Sequence, residues 1–62
     1  MNNEEKAMLY DTYLRQVDAL QREISQIKSE NPINIPVELQ SVMNENNMKI
    51  SVLQTKVENL FR

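Results

Sequence analysis

The fold of this chain depends on residues 29–38, SENPINIPVE, which interrupt a sequence that otherwise reads as helix. The stretch contains both prolines, at positions 32 and 36, and the chain has no glycine. Proline lacks a backbone donor and pushes the preceding residue out of the helical region, so a helix that enters this stretch should end before Pro32. The stretch therefore either folds two helices back on each other or puts a kink in one rod.

The segments on both sides of the stretch are rich in Leu, Glu, Gln, Lys, Arg and Met, which favour helix. We expect a first helix at about residues 3–30, a loop at 31–35 and a second helix at about 36–61. Sixty-two residues are enough for one domain, so residues 1–62 are predicted to form a single all-α unit.

Both predicted helices begin with recognisable signals. Asn2 or Asn3 can cap the first helix, and Glu4 and Glu5 follow, where the helix dipole favours negative charge. Pro36 suits the first turn of the second helix because its missing N–H would be unpaired there anyway.

Apolar residues recur along both segments at alternating steps of three and four, as a coiled-coil seam requires. The first seam comprises Tyr10, Tyr13, Val17, Leu20, Ile24 and Ile27. The second comprises Leu39, Met43, Asn46, Ile50, Leu53, Val57 and Leu60. Asn46 is the one polar residue among them.

Helix length and loop length favour the hairpin over the rod. Each helix would be about 39 Å long, and a five-residue connection is typical of antiparallel helices. When residues whose numbers sum to 70 are paired, every layer is apolar except that of Ile24 with Asn46, and Glu23 comes near Lys49. A rod that dimerises in parallel remains the alternative, because the second seam also suits that arrangement.

The loop contains two apolar residues that need an explanation. Ile33 and Ile35 are expected to close the end of the core beside the loop.

A hairpin of this size should leave apolar residues uncovered. At about 62 residues a chain buries only about 60% of its unfolded surface, and this one has neither cysteine for disulfides nor histidine for a metal site. We therefore predict self-association, most simply as a two-fold dimer forming a four-helix bundle. The predicted self-association residues are Tyr13, Val17, Leu20, Ile24, Ile50, Leu53 and Val57.

The composition argues against several classes of function. Without His, Cys or Gly the chain lacks the commonest general base, the strongest nucleophile and a phosphate-binding glycine loop, so no catalytic residue, metal or cofactor is predicted. A net charge of −2, spread along the chain, disfavours nucleic-acid binding. No apolar run approaches the roughly 20 residues of a membrane span or resembles a signal peptide, so a soluble cytoplasmic protein is expected.

These features favour a non-enzymatic interaction module that acts as an inhibitor, adaptor or assembly chaperone. Besides a second copy of itself, another protein is the expected partner, bound at an apolar patch near the open end of the hairpin. That patch would comprise Leu9, Tyr10, Leu14, Leu60 and Phe61.

The alternative hypothesis is an oligomer that binds a small metabolite or nucleotide in an interface cavity. Asn46 and Asn47 would line such a cavity if several copies met on an axis. A single Asn in an apolar seam more often selects the helix register and oligomer state, and this is the role we favour for Asn46.

Overall fold

The protein, described by a computed structural model over residues 2–62, consists of two helices joined by a short loop. Helix α1 spans Asn3–Glu30 and helix α2 spans Val37–Leu60. The fold is 85% helical, and the two helices pack against each other. The prediction of an all-α helical hairpin is confirmed, and the chain does not form the continuous rod.

Helix α1 begins with a side-chain cap. The Asn2 side-chain oxygen accepts a hydrogen bond from the backbone N–H of Glu5 at 2.8 Å, and the Asn2 carbonyl accepts one from Lys6 at 3.1 Å. Asn2 itself is extended, with φ −85° and ψ 172°, as is usual for a capping residue. The side chain of Asn2 thereby satisfies one of the otherwise unpaired N–H groups of the helix start, and Glu4 and Glu5 lie in the first turn, where the helix dipole favours negative charge.

Side chains on both sides of the loop donate hydrogen bonds to nearby backbone carbonyls. Asn31 has φ −130° and ψ 64°, outside the helical region, as expected for a residue that precedes proline. Its side-chain amide donates to the Ile27 carbonyl at 2.9 Å, and its backbone N–H donates to the same carbonyl at 3.1 Å. The Gln40 side chain donates to the Ile35 carbonyl at 2.8 Å. These bonds help hold a turn that contains no glycine.

Helix α2 starts one residue later than expected. Pro36 is the N-cap and not a first-turn residue, because its ψ of 149° is extended while its φ of −56° is the usual proline value. Its carbonyl accepts from the N–H groups of Leu39 and Gln40 at 3.0 and 2.9 Å. No side chain caps α2, and its helical residues end at Leu60.

The core lies along the seam between the helices. The buried apolar residues are only 8–9% exposed and comprise Val17, Ile24, Ile27, Ile50 and Leu53. Tyr13, Leu20 and Met43 pack against them and are partly buried. No described side chain is completely enclosed, because two helices alone cannot surround a residue on all sides.

Two contacts between the helices report the register. The rings of Tyr10 and Phe61 meet edge to face with centroids 5.5 Å apart, and the Lys56 ammonium lies 5.8 Å from the centroid of the Tyr13 ring. Their residue numbers sum to 71 and 69, on either side of the expected 70. The helices therefore pair in the register that the seam pattern predicts.

The loop isoleucines behave differently from each other. Ile35 is half-buried, but Ile33 is 98% exposed, so the expectation that both would close the end of the core is wrong for Ile33. The loop between Asn31 and Pro36 leaves the Ile33 side chain outside the packing of both helices.

Helix α1 also carries ion pairs on its outer surface. Arg15 pairs with Asp11 and Arg22 pairs with Asp18, each at 2.9 Å and one helical turn apart. Such exposed pairs contribute only a few tenths of a kcal/mol. Over residues 2–62 these are the salt bridges present, so Glu23 and Lys49 do not form the pair expected within the hairpin.

The hairpin is long and thin. It measures 47 × 15 × 12 Å with a radius of gyration of 14.5 Å, whereas a compact domain of this length would have about 10.6 Å. Its accessible surface is 4976 Å², compared with about 4200 Å² for a typical monomer of this mass. Two helices without a third layer therefore leave more surface exposed than usual.

We predict that the cap residue is important for stability. The Asn2→Ala substitution removes the acceptor for Glu5 N–H and should lower the free energy of unfolding by about 1 kcal/mol. Thermal unfolding followed by circular dichroism measures this change. Asn3→Ala is the matched control and should have a smaller effect; equal effects of the two substitutions would contradict the assignment of Asn2 as the cap.

Candidate functional site

An open apolar groove runs between the two helices on one broad face of the hairpin. It encloses about 520 Å³ and is called the central groove below. Its lining residues are Gln16, Ala19, Leu20, Met48, Lys49, Val52, Leu53 and Lys56. The side chains at the bottom of the groove belong to the core, and those at its rim are exposed.

The heptad pattern explains why the groove forms there. Leu20 and Leu53 occupy seam positions that lean toward this face, so they form its floor. Ala19 on α1 is too small to fill the space beside them. On α2, Met48 is 70% exposed and Val52 is 55% exposed, so two large apolar side chains at the groove face solvent.

The charges that line the central groove are both positive. Lys49 and Lys56 lie seven residues apart on α2, and their methylene chains contribute apolar wall. The Lys49 side chain is exposed, whereas the Lys56 ammonium lies over the Tyr13 ring. The groove contains no lining carboxylate. A molecule that covers it would have to match an apolar strip bordered by two cations.

A second groove lies on the opposite side of the seam, near the open end of the hairpin. Its lining residues are Leu14, Val17, Gln54, Val57 and Glu58. Beside it on α1 and beyond α2 are Tyr10 and Phe61, which contact each other and are both exposed. We call Tyr10, Leu14 and Phe61 the open-end patch.

The residues predicted for self-association hold the two helices of one chain together. Val17, Ile24, Ile50 and Leu53 form the buried cluster, with Tyr13 and Leu20 packed on it and Val57 half-buried. Only their edges reach the surface: Leu20 and Leu53 in the central groove, Val17 and Val57 in the second. A second copy would contact these edges and the groove rims.

The residues predicted for partner binding do not form one surface. Tyr10, Leu14 and Phe61 are exposed at the open end, and Leu60 is half-buried beside them in the seam. Leu9 lies in a separate groove with Glu5, Met8 and Thr12. Leu9 and Leu14 are five residues apart, which puts them on different sides of a helix with 3.6 residues per turn.

The two asparagines of the ligand hypothesis have opposite environments. Asn46 is 4% exposed and the nitrogen of its side-chain amide has no hydrogen-bond partner, whereas Asn47 is exposed. None of the three grooves is lined by either residue. Asn46 therefore lies in the core layer of Ile24, where an unpaired amide costs about 1–3 kcal/mol.

The described part of the chain shows no candidate metal-binding cluster and no candidate membrane-spanning helix. Within residues 2–62 no group of three acidic side chains is close enough to hold a metal ion. Neither described helix has a stretch that is apolar and long enough to cross a lipid bilayer.

Sequence reasoning missed the central groove. The sequence did contain a signal for it. The residue numbers of Ala19 and Val52 sum to 71, so these two residues lie at nearly the same height on the two helices in the predicted register. Met48 and Val52, one turn apart on α2, then extend an apolar strip beyond the seam. Their heptad positions are usually polar, which is why two apolar residues there are informative.

Comparison with known proteins adds no further assignment. No protein family, characterised protein or solved structure shows significant similarity to this chain.

We predict that Asn46 lowers the stability of the hairpin. Asn46→Leu removes the unpaired amide and adds apolar contact, so the free energy of unfolding should rise by about 1–3 kcal/mol. Chemical denaturation, extrapolated to water, measures the change. Asn47→Leu, at the exposed neighbouring position, should change stability little; a destabilised Asn46→Leu protein would show that the amide is satisfied in solution.

Proposed function

We propose that the chain is a non-enzymatic interaction module that self-associates and presents its remaining helix surface to another protein. The simplest assembly is a two-fold dimer in which two hairpins form a four-helix bundle. In this form it would act as an inhibitor, adaptor or assembly chaperone. The central groove is the observation that carries the proposal.

The exposed surface of the single hairpin supports association. Its excess of about 800 Å² over a compact monomer is close to the area that each partner buries in a standard protein interface. The core contains only five well-buried apolar residues, which suggests that burial elsewhere contributes to stability. With neither disulfide nor metal available in this chain, packing against other helices is the available source of that burial.

The shape of the central groove fits a helix. It follows the line between α1 and α2 and borders both, as does the channel that a further helix occupies in a bundle. Exposed Met48 and Val52 would become core residues in that arrangement. Burying each such side chain fully is worth about 1.5–3 kcal/mol, so this contact can outweigh part of the entropy lost on association.

The open-end patch is the proposed site for a different protein. It lies on the opposite side of the seam from the central groove, so a dimer formed through the groove would leave it accessible. Aromatic residues such as Tyr10 and Phe61 are typical anchors of protein interfaces. The neighbouring Glu58 gives this region an acidic border.

We predict that the dimer depends on the rim of the central groove. The double substitution Met48→Ser and Val52→Ser should weaken association at least about a hundredfold, because two apolar side chains per chain are lost from the interface. Sedimentation equilibrium over a range of concentrations measures the dissociation constant. The control is Ile33→Ser, which removes an even more exposed apolar residue outside the groove and should leave association unchanged. A wild-type chain that stays monomeric at millimolar concentration would contradict the proposal.

We further predict that partner binding and self-association can be separated. Leu14→Ser with Phe61→Ser should leave the oligomer mass unchanged, because neither residue lines the central groove. Native mass spectrometry of the protein purified from its own cells should show a heteromeric complex for the wild type that is lost in this variant. A heteromeric complex that persists would show that the partner binds elsewhere.

A further inference from the structure

Two opposite charges beside the central groove have no partner within the hairpin. Lys49 lines the groove, and Glu23 lies seven residues after Gln16, which lines it from α1, so Glu23 is on the same side of α1 two turns further on. The salt bridges in the described residues involve neither of them. Both side chains are exposed in the hairpin and available to a molecule on this face.

We infer that the occupant of the central groove is a second copy of this chain, related by a two-fold axis parallel to the long axis of the hairpin. Helix α1 of one copy then lies over α2 of the other, antiparallel to it. Glu23 faces the partner's Lys49, and by symmetry Lys49 faces the partner's Glu23. This inference rests on the proposed self-association and specifies its face, its symmetry and its charged contacts.

The positions along the axis agree with this arrangement. A two-fold rotation about an axis parallel to the hairpin does not change the height of a residue along that axis. Two residues at the same height in one hairpin are therefore also at the same height when they belong to different copies. In the observed register residue 23 is at the same height as residue 47. Lys49 is two residues further along α2, so its height differs from that of Glu23 by about 3 Å along the axis. Side chains lean toward the start of their own helix, and because the helices are antiparallel this brings Glu23 and Lys49 toward each other. Ala19 falls opposite the partner's Val52, a small residue against a large one.

The charges also exclude the other simple two-fold arrangement. An axis across the hairpin at the centre of the groove would place α2 over the partner's α2 and bring Lys49 close to the partner's Lys56. Like charges facing each other in an interface are unfavourable. With the axis along the hairpin, Lys56 faces the partner's neutral Gln16, and each Lys49 faces a carboxylate. With the axis along the hairpin, Lys49 of one copy therefore does not face Lys56 of the other, and the repulsion between them is avoided.

The test uses charge reversal in separate chains. Glu23→Lys places lysines at both positions 23 and 49 of each chain, and Lys49→Glu places glutamates at both. Each variant alone should dimerise on the order of tenfold more weakly than the wild type, because only like charges meet. When the two variants are mixed in equal amounts, lysine-bearing chains face glutamate-bearing chains, so native mass spectrometry should show heterodimers well above the half expected from random pairing.

Mixing is informative because it separates contacts between chains from contacts within a chain. If Glu23 paired only with Lys49 of its own hairpin, each variant would keep its like charges in any dimer and mixing would restore nothing. Glu58→Lys changes the charge by the same amount on the opposite side of the seam. It should not weaken the dimer, and in a mixture with Lys49→Glu chains it should form no more heterodimers than random pairing gives. Either random pairing in the mixture or selection by Glu58→Lys would overturn the inference.

The proposed function and this inference fail in different ways. A monomeric wild-type chain would overturn both. A dimer that Met48→Ser with Val52→Ser dissociates, but whose charge variants pair at random, would keep the self-association through the central groove and overturn the symmetry and the contact between Glu23 and the partner's Lys49.

Discussion

The packing of one apolar seam against the other is the constraint on which the rest of this structure depends. Each helix is held by its partner, because helices in proteins gain most of their stability from packing an apolar face. The register that aligns Val17 with Leu53 also determines which flanking residues meet. It brings Ala19 opposite Val52, and it places the rings of Tyr10 and Phe61 in contact at the open end. The grooves are therefore consequences of the register.

Asn46 introduces an energetic cost into that seam, and it also disfavours other registers. Its amide nitrogen is buried without a partner, in a layer where an apolar residue would pack better. A polar residue at one seam position makes other registers and assemblies worse, since it would then oppose still more apolar groups. The cost is tolerable only while the remaining layers are apolar, which they are. A chain with so few buried residues thus gives up some stability, which the proposed association through the central groove would recover.

The two sides of the seam have different chemistry, which suits a protein with two kinds of contact. The central groove is bordered by Lys49 and Lys56, whereas the second groove is bordered by Glu58. Exposed ion pairs such as Asp11 with Arg15 neutralise the outer surface of α1 and contribute little to either contact. A face with unpaired opposite charges can select a matching copy, because electrostatic complementarity contributes more to specificity than to affinity.

The sequence by itself determined the secondary structure, the hairpin and the register, because the prolines in residues 29–38 and the alternation of three and four act locally or through a repeating pattern. It also marked Asn46 as the exceptional layer and Asn2 as a candidate cap. Only the tertiary structure decided how the flanking residues combine. It buried the predicted self-association residues within one chain, separated Leu9 from Leu14, exposed Ile33 and formed a groove from Ala19, Met48 and Val52. The physical reason is that the pattern specifies which residues face the seam, whereas a surface depends on side-chain size and on how far each side chain extends around both helices at once.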